Sequence, residues 1–154
     1  MGGRLFQTFP SLTKNTLLMR IPETLPKVAV IMVHYENYAL KFFGNCFESL
    51  DQQSPVNAQV TFYVVDNGAS DESKRFVKKL APHYRCLDNI ENKGWASGNN
   101  LAVRTALSEG ADTLVLLNMD TSLDADWLKN LLEAANADPD THIFQSKKIG
   151  RAHV

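Results

Sequence analysis

The sequence predicts an α/β fold: a mostly parallel sheet with helices on both faces. Two observations carry this. Between residues 28 and 147, apolar runs of strand length alternate with stretches whose apolar residues recur at helical spacing. The most clear-cut runs are apolar throughout rather than alternating, as strands buried on both faces are. Strands joined by helices of this length pair in parallel through right-handed crossovers. A length of 154 residues suits one small domain.

The elements follow in order. Val28 to Val33 reads as the first buried strand. Tyr38 to Leu50 carries Leu40, Phe43, Phe47 and Leu50 at helical spacing, with Pro55 beyond its end. Val60 to Val65 is the second buried strand. Asp71 to Leu80 is a basic-faced helix with Phe76, Val77 and Leu80 inward, closed by Pro82. Tyr84 to Leu87 is a short third strand, and Asp88 to Gly98 a polar loop. A helix over Asn99 to Glu109 buries Leu101, Ala102, Ala106 and Leu107 and ends at Gly110. Thr113 to Leu117 is the fourth strand. Asp124 to Ala135 is a helix with Leu128, Leu131 and Leu132 inward, its acidic start favourable to the helix dipole. Thr141 to Gln145 opens a fifth strand.

Composition narrows the function classes. The net charge of -1 gives no reason to expect nucleic acid as partner. Cys46 and Cys86 form no C-x-x-C pair, so neither a disulfide scaffold nor a cysteine-rich zinc site is expected. No apolar stretch reaches the roughly 18 residues that span a bilayer, and no secretory leader is evident. The default location is the cytoplasm, with peripheral attachment to the inner face of the plasma membrane as the alternative. Residues 1–26 read as an N-terminal extension, either a flexible lead-in or an edge-packing segment, and Met19 offers a second start. The last six residues, Ile149 to Val154, resemble a translated sequencing adapter. They are expected to be a non-native tail, and His153 is given no role.

In open parallel sheets, ligands bind at the carboxyl ends of the strands. Three strand ends here are polar: His34-Tyr35-Glu36-Asn37, Asp66-Asn67-Gly68-Ala69-Ser70-Asp71 and Asn118-Met119-Asp120-Thr121. Asp66 follows an apolar strand and suits hydrogen bonds from a ribose or a base edge. Gly68 lets the chain turn sharply, and Ser70 suits a helix cap. A plain turn with a cap accounts for Ser70 and Asp71 but leaves Asp66 unexplained. Asp120 is the candidate metal ligand, for magnesium or manganese bridging to a diphosphate. The alternative is an Asx turn. Asn118 either orients Asp120 or meets the sugar. Asp124 and Asp126 read as helix-start residues rather than ligands.

The loop from Asn89 to Asn100 is dense in amides and glycine and reaches a helix start at Asn99 or Asn100. Helix N-terminal amides suit phosphate or sugar oxygens. Trp95 either packs on a base or anchors the loop, the anchor being favoured. Lys93 either neutralises a diphosphate or faces solvent. The P-loop pattern, H-E-x-x-H, the G-x-S-x-G elbow and the dinucleotide fingerprint are all missing from the sequence.

Residues 28–147 resemble the amino-terminal part of family 2 glycosyltransferases with the GT-A (Rossmann-like) fold, especially the rhamnosyltransferase-like branch. The matching blocks are Val30 to Tyr35, Ser49 to Gln52, Val64 to Asp71, Asn92 to Asn100 and Leu116 to Thr121. The resemblance implies a nucleotide-diphospho-sugar donor, a divalent cation (Mg2+ or Mn2+) and inversion at the sugar carbon. It implies a glycan or lipid-linked acceptor in polysaccharide synthesis, with a carboxylate base taking the acceptor proton. Asp66 matches the family's nucleotide-contacting aspartate, and Tyr35 to Asn37 the loop beside the base and ribose. Asn118-Met119-Asp120 matches the metal motif, with Asp120 as ligand. The expected donor site therefore comprises His34, Tyr35, Glu36, Asn37, Asp66, Asn67, Gly68, Lys93, Gly94, Asn99, Asn118, Met119 and Asp120.

Two departures qualify the match. The turn reads Gly68-Ala69-Ser70-Asp71 where the family usually has Gly-Ser-x-Asp. No residue matches the family's base, which lies well beyond the metal motif. Residues 27–148 are thus expected to be the donor-binding part of a truncated domain, incomplete at its C-terminus and inactive alone. The competing readings are a nucleotidyltransferase-like domain, which wants a glycine-rich basic loop after the first strand, and a non-catalytic binding module.

Overall fold

The structure, a computed structural model, describes residues 24–89 and 91–147. Most of the expected 1–26 extension and all of the 149–154 tail lie outside those residues.

The chain runs β1 (Lys27–Glu36), α1 (Tyr38–Asp51), β2 (Gln59–Ala69), α2 (Asp71–Leu80), β3 (Arg85–Asp88), α3 (Trp95–Ser108), β4 (Thr113–Leu116) and α4 (Trp127–Ala137). The four strands form one sheet in the order β3-β2-β1-β4. All three pairings are parallel. The expected mostly parallel sheet with helices on both faces is therefore observed.

Side chains of a strand alternate between faces. Val28, Val30 and Met32 of β1 join Phe43, Cys46 and Leu50 of α1, Val77 of α2 and Leu128 of α4 in one core cluster. Ala29, Ile31 and Val33 join Tyr63, Val65, Ala102 and Ala106 in the other, under α3. The apolar run Val28–Val33 follows from this: each residue has a covered face to enter. Burying each large aliphatic side chain contributes about 1.5–3 kcal/mol. In α1 the buried residues are Ala39, Phe43, Cys46 and Leu50, one helical stripe. Tyr84 closes that layer, stacked on Phe62 with ring centroids 4.5 Å apart.

Several boundaries differ from expectation. β1 and β2 extend past their apolar runs, to Glu36 and Ala69. They go on pairing through a register shift between His34 and Glu36. Glu36 has φ +43, and its carbonyl accepts a hydrogen bond from the Ser70 amide. Helix α3 starts at Trp95, four residues before Asn99, because Gly94 at φ +85 redirects the chain into it. Its early start brings Gly98 onto the sheet, where a Cβ would lie 2.8 Å from Val33 Cγ1. Leu107, expected inward, is exposed. Helix α4 begins at Trp127; Asp124 instead makes an Asx turn, accepting from the Asp126 amide at 3.0 Å. Residues 141–147 form no strand. Gln53 fixes α4 to the end of α1: its amide donates to the Ser49 and Asp124 carbonyls, and its oxygen accepts from the Leu128 amide.

His34 lies on the α2 side of β1, 2% exposed, with Nδ1 3.3 Å from Ser73 Oγ. Burial pushes its imidazole down to about 4; the Asp66 charge opposes the shift and the Lys74 charge adds to it. Below pH 6.5 the unfolded chain gains a proton that the folded chain refuses until about pH 4. Stability contributed by the neutral ring is whole above pH 6.5 and is lost as pH falls toward 4. Between pH 7 and pH 4 the wild type should lose about 2–3 kcal/mol more than His34→Gln, read by urea unfolding across that range. Phe43 is fully buried, and Phe43→Ala should cost about 3–5 kcal/mol in the same measurement at pH 7.

Candidate functional site

The sheet order places a topological switch point between β1 and β4. From β1 the chain proceeds to β2 and β3 on one side, then crosses to β4 on the other. Diverging connections leave a crevice there, at the carboxyl ends of the strands. An open cleft of about 480 Å3 occupies this position, lined by Val33, Tyr35, Tyr38, Asn67, Asn92, Gly94, Trp95 and Asn118.

Each wall has a local cause. Tyr35 is the penultimate residue of β1 and Tyr38 opens α1, and their rings stack with centroids 5.1 Å apart and an interplanar angle of 19°. Trp95 is the first residue of α3 and is exposed. Asn118 follows β4 and is exposed to the cleft. Aromatic faces and amides thus meet around one crevice, a lining suited to a ligand with both planar and polar parts.

The loop wall is stitched to the tip of β2. Asn67 Nδ2 donates to Asn92 Oδ1 at 2.9 Å and to the Gly94 carbonyl at 3.2 Å. Asn89 Nδ2 donates to Asn67 Oδ1 at 2.7 Å. Asn92 Oδ1 also accepts from the Gly94 amide at 3.0 Å. Gly68 lies beneath this loop at φ +76, where a Cβ would come 3.2 Å from Asn92.

Of the thirteen expected site residues, the cleft gathers Tyr35, Asn67, Gly94 and Asn118. Asp120 is exposed on the same rim and lies against Tyr38: burial, then the Asp120 carboxylate, pushes the Tyr38 hydroxyl up to about 12. Glu36 and Asn37 are exposed at the junction of β1 and α1, where Asn37 Oδ1 accepts from Ser70 Oγ at 2.5 Å. Ser70 in turn caps α2, accepting from the Ser73 amide.

The others are placed differently. His34 and Asp66 project to the α2 side of the sheet because the strand alternates. Asp66 is 9% exposed; one oxygen accepts from the Ala69 amide at 2.7 Å and the other pairs with Lys74 at 2.7 Å. Asp66 and Asp120 belong to strand ends on either side of β1. Met119 is fully buried in the α1-side core. Asn99 is buried in the second turn of α3, its side chain donating to the Trp95 carbonyl at 2.9 Å. Lys93 faces solvent 3.6 Å from Glu91.

Three cleft residues, Val33, Tyr38 and Asn92, are not among the expected site residues, and Trp95, read either as packing on a base or as the favoured loop anchor, is 56% exposed. The signal for Tyr38 is its spacing of three from Tyr35 across a helix start. Asn92 stood within a loop already notable for amides.

The donor set suits a divalent cation only in one form. Among the described residues no group of three His, Cys, Asp or Glu side chains converges. Asp120 and Asn118 offer hard oxygen atoms, and such a sparse set fits an ion that takes its other oxygens from phosphate and water.

Comparison with known proteins agrees on the fold. The chain is 29% identical over 79 residues to the low-salt glycan biosynthesis hexosyltransferase Agl10 of Haloferax volcanii, a match covering 51% of this chain and 25% of that protein. Its fold resembles the mannosyltransferase PcManGT of Pyrobaculum calidifontis, solved with GDP-Man and Mn2+, at TM-score 0.61 and 22% identity over 74% of this chain and 33% of that one. It likewise resembles S. aureus TarS 1-349 solved with UDP-GlcNAc, at TM-score 0.62 and 19% identity over 73% of this chain and 32% of that one. The two solved structures are GT-A glycosyltransferases, and the chain spans about a third or less of the length of the proteins it matches. The sequence profile described as Glycosyl transferase family 2 matches residues 29–151, most of the chain, and this protein belongs to that family.

Proposed function

We propose that the cleft binds a nucleotide-diphospho-sugar donor and that the chain supplies the donor half of an inverting glycosyltransferase. The observation that carries this is the cleft's position at the β1–β4 switch point, between aromatic walls and beside the Asp120 carboxylate. In this reading the nucleobase lies between the Tyr35–Tyr38 pair and Trp95. Base-to-aromatic stacking contributes about 1–3 kcal/mol and tolerates different bases. The Gly94 and Asn118 region faces the diphosphate and sugar. Asp120, with Asn118, holds Mg2+ or Mn2+, which would stabilise charge on the departing diphosphate. Tyr38 keeps its proton at neutral pH and holds the Asp120 carboxylate in place. Asp66 and Lys74 fix the 66–69 turn behind this site.

Two solved relatives support the donor class, since their complexes contain GDP-Man with Mn2+ and UDP-GlcNAc. The acceptor in this reading is a glycan or lipid-linked hydroxyl, in polysaccharide synthesis at the inner face of the plasma membrane. Among the described residues no helix is long and apolar enough to cross a membrane.

Calorimetry with UDP and GDP, with and without Mn2+, tests the proposal. A nucleoside diphosphate should bind more tightly with Mn2+, and Asp120→Asn should remove most of that gain, about tenfold in affinity. Trp95→Ala should weaken binding about fivefold or more whether or not the cation is present. A cation effect that survives Asp120→Asn unchanged overturns the metal assignment. Indifference to Trp95→Ala overturns the placement of the base.

A further inference from the structure

Asn67 is 1% exposed on the α3-facing side of β2, and both ends of its carboxamide are hydrogen-bonded. A carboxamide nitrogen has two protons to donate. Here they go to Asn92 Oδ1 and to the Gly94 carbonyl. The carboxamide oxygen accepts from Asn89. The orientation of these amides is fixed by the main chain. The Gly94 carbonyl can only accept, so the Asn67 atom 3.2 Å away is nitrogen. The Gly94 amide can only donate, so the Asn92 atom 3.0 Å away is oxygen. The remaining Asn67 atom is then oxygen, and its Asn89 partner is nitrogen.

These bonds gather one segment at three points. Asn89 is held a second time, its amide donating to the Asp66 carbonyl at 2.8 Å. Asn92, Gly94 and Trp95, which this segment carries, make one side of the cleft. Gly94 also sets the φ of +85 from which α3 departs.

We infer that Asn67 is a positioning residue rather than a donor-contacting one: its carboxamide, tied to Asn89, holds the Asn92–Gly94 wall and the Trp95 ring where the cleft needs them. The inference deepens the donor-site reading and rests on it for its functional consequence, while the wall itself can be observed without any ligand. Packing supports the assignment. With Gly98 pressed on Val33 and its absent Cβ only 3.7 Å from Asn67 Cγ, the carboxamide is enclosed between β2 and α3. Asn67→Asp keeps the size and the acceptor but loses both donors, setting a carboxylate against two oxygens. Asn92 serves this network as an acceptor only, so Asn92→Asp keeps both bonds that Asn92→Ala removes.

The test uses the whole chain with Trp127→Phe, so that Trp95 is the single emitter. Amide exchange at Gly94, Trp95 emission and UDP affinity with Mn2+ are measured for Asn67→Asp, Asn92→Ala and Asn92→Asp. Asn67→Asp and Asn92→Ala should each raise Gly94 exchange about tenfold, shift Trp95 emission and weaken UDP binding about tenfold, the scale of one or two lost hydrogen bonds. Asn92→Asp should leave exchange and emission as in the parent, which general destabilisation does not explain. If Asn67→Asp does not fold, the contrast between the two Asn92 variants carries the test. Gly94 exchange and Trp95 emission unchanged in Asn67→Asp, or altered equally by both Asn92 variants, overturn the inference. Exchange and emission that respond as expected, in a chain that binds no nucleoside diphosphate, leave the wall assignment standing and remove the donor-site reading.

Discussion

Everything in this structure is referred to β1. It is bonded to β2 on one edge and β4 on the other, and both its faces are covered. A strand so enclosed has no freedom of register: slipping by one residue would exchange its two apolar faces. That constraint extends beyond the sheet. Because β1 and β2 stay paired as far as Glu36 and Ala69, their tips are held together where the apolar residues have already ended. The polar rim is anchored to the sheet for that reason.

Alternation then divides the rim's chemistry. Successive residues of β2 face opposite ways, so Asp66 meets Lys74 on one side while Asn67 meets the loop on the other. Two neighbouring polar residues in sequence become parts of two separate networks. The acidic group is used to shape a turn, and the neutral amide to place a wall. A carboxylate in place of that amide would be poorly matched to the two oxygens it faces, whereas Asp66 finds a cation and an amide proton waiting.

Much of this was legible beforehand. The unbroken apolar run of β1 announced a strand covered on both faces, and Asp71 to Leu80 was bounded correctly by its cap and by Pro82. The polar strand ends contribute Tyr35, Asn67 and Asn118 to the cleft lining. What could not be read was direction. The resemblance to the metal motif places Met119 among site residues, and only the register turns it into the core. Likewise, counting polar residues after a strand does not say which of Asp66 and Asn67 turns toward the crevice. The sequence places the start of α3 late because Gly98, Ser97 and Trp95 are weaker helix formers than Leu101 and Ala102, which follow. Close packing of Gly98 on Val33 overrides that local preference.

The two outer strands of the sheet are unequal. β3 presents Arg85 and Asp88, charges that discourage another chain from lining up beside it. β4 runs Thr113-Leu114-Val115-Leu116 without a charge, and Leu116 is 49% exposed. No strand lies along its outer side among the described residues. An uncharged edge strand of this kind is one on which another strand can pair, in this chain or a neighbouring one, and a charge placed on it counters pairing between molecules.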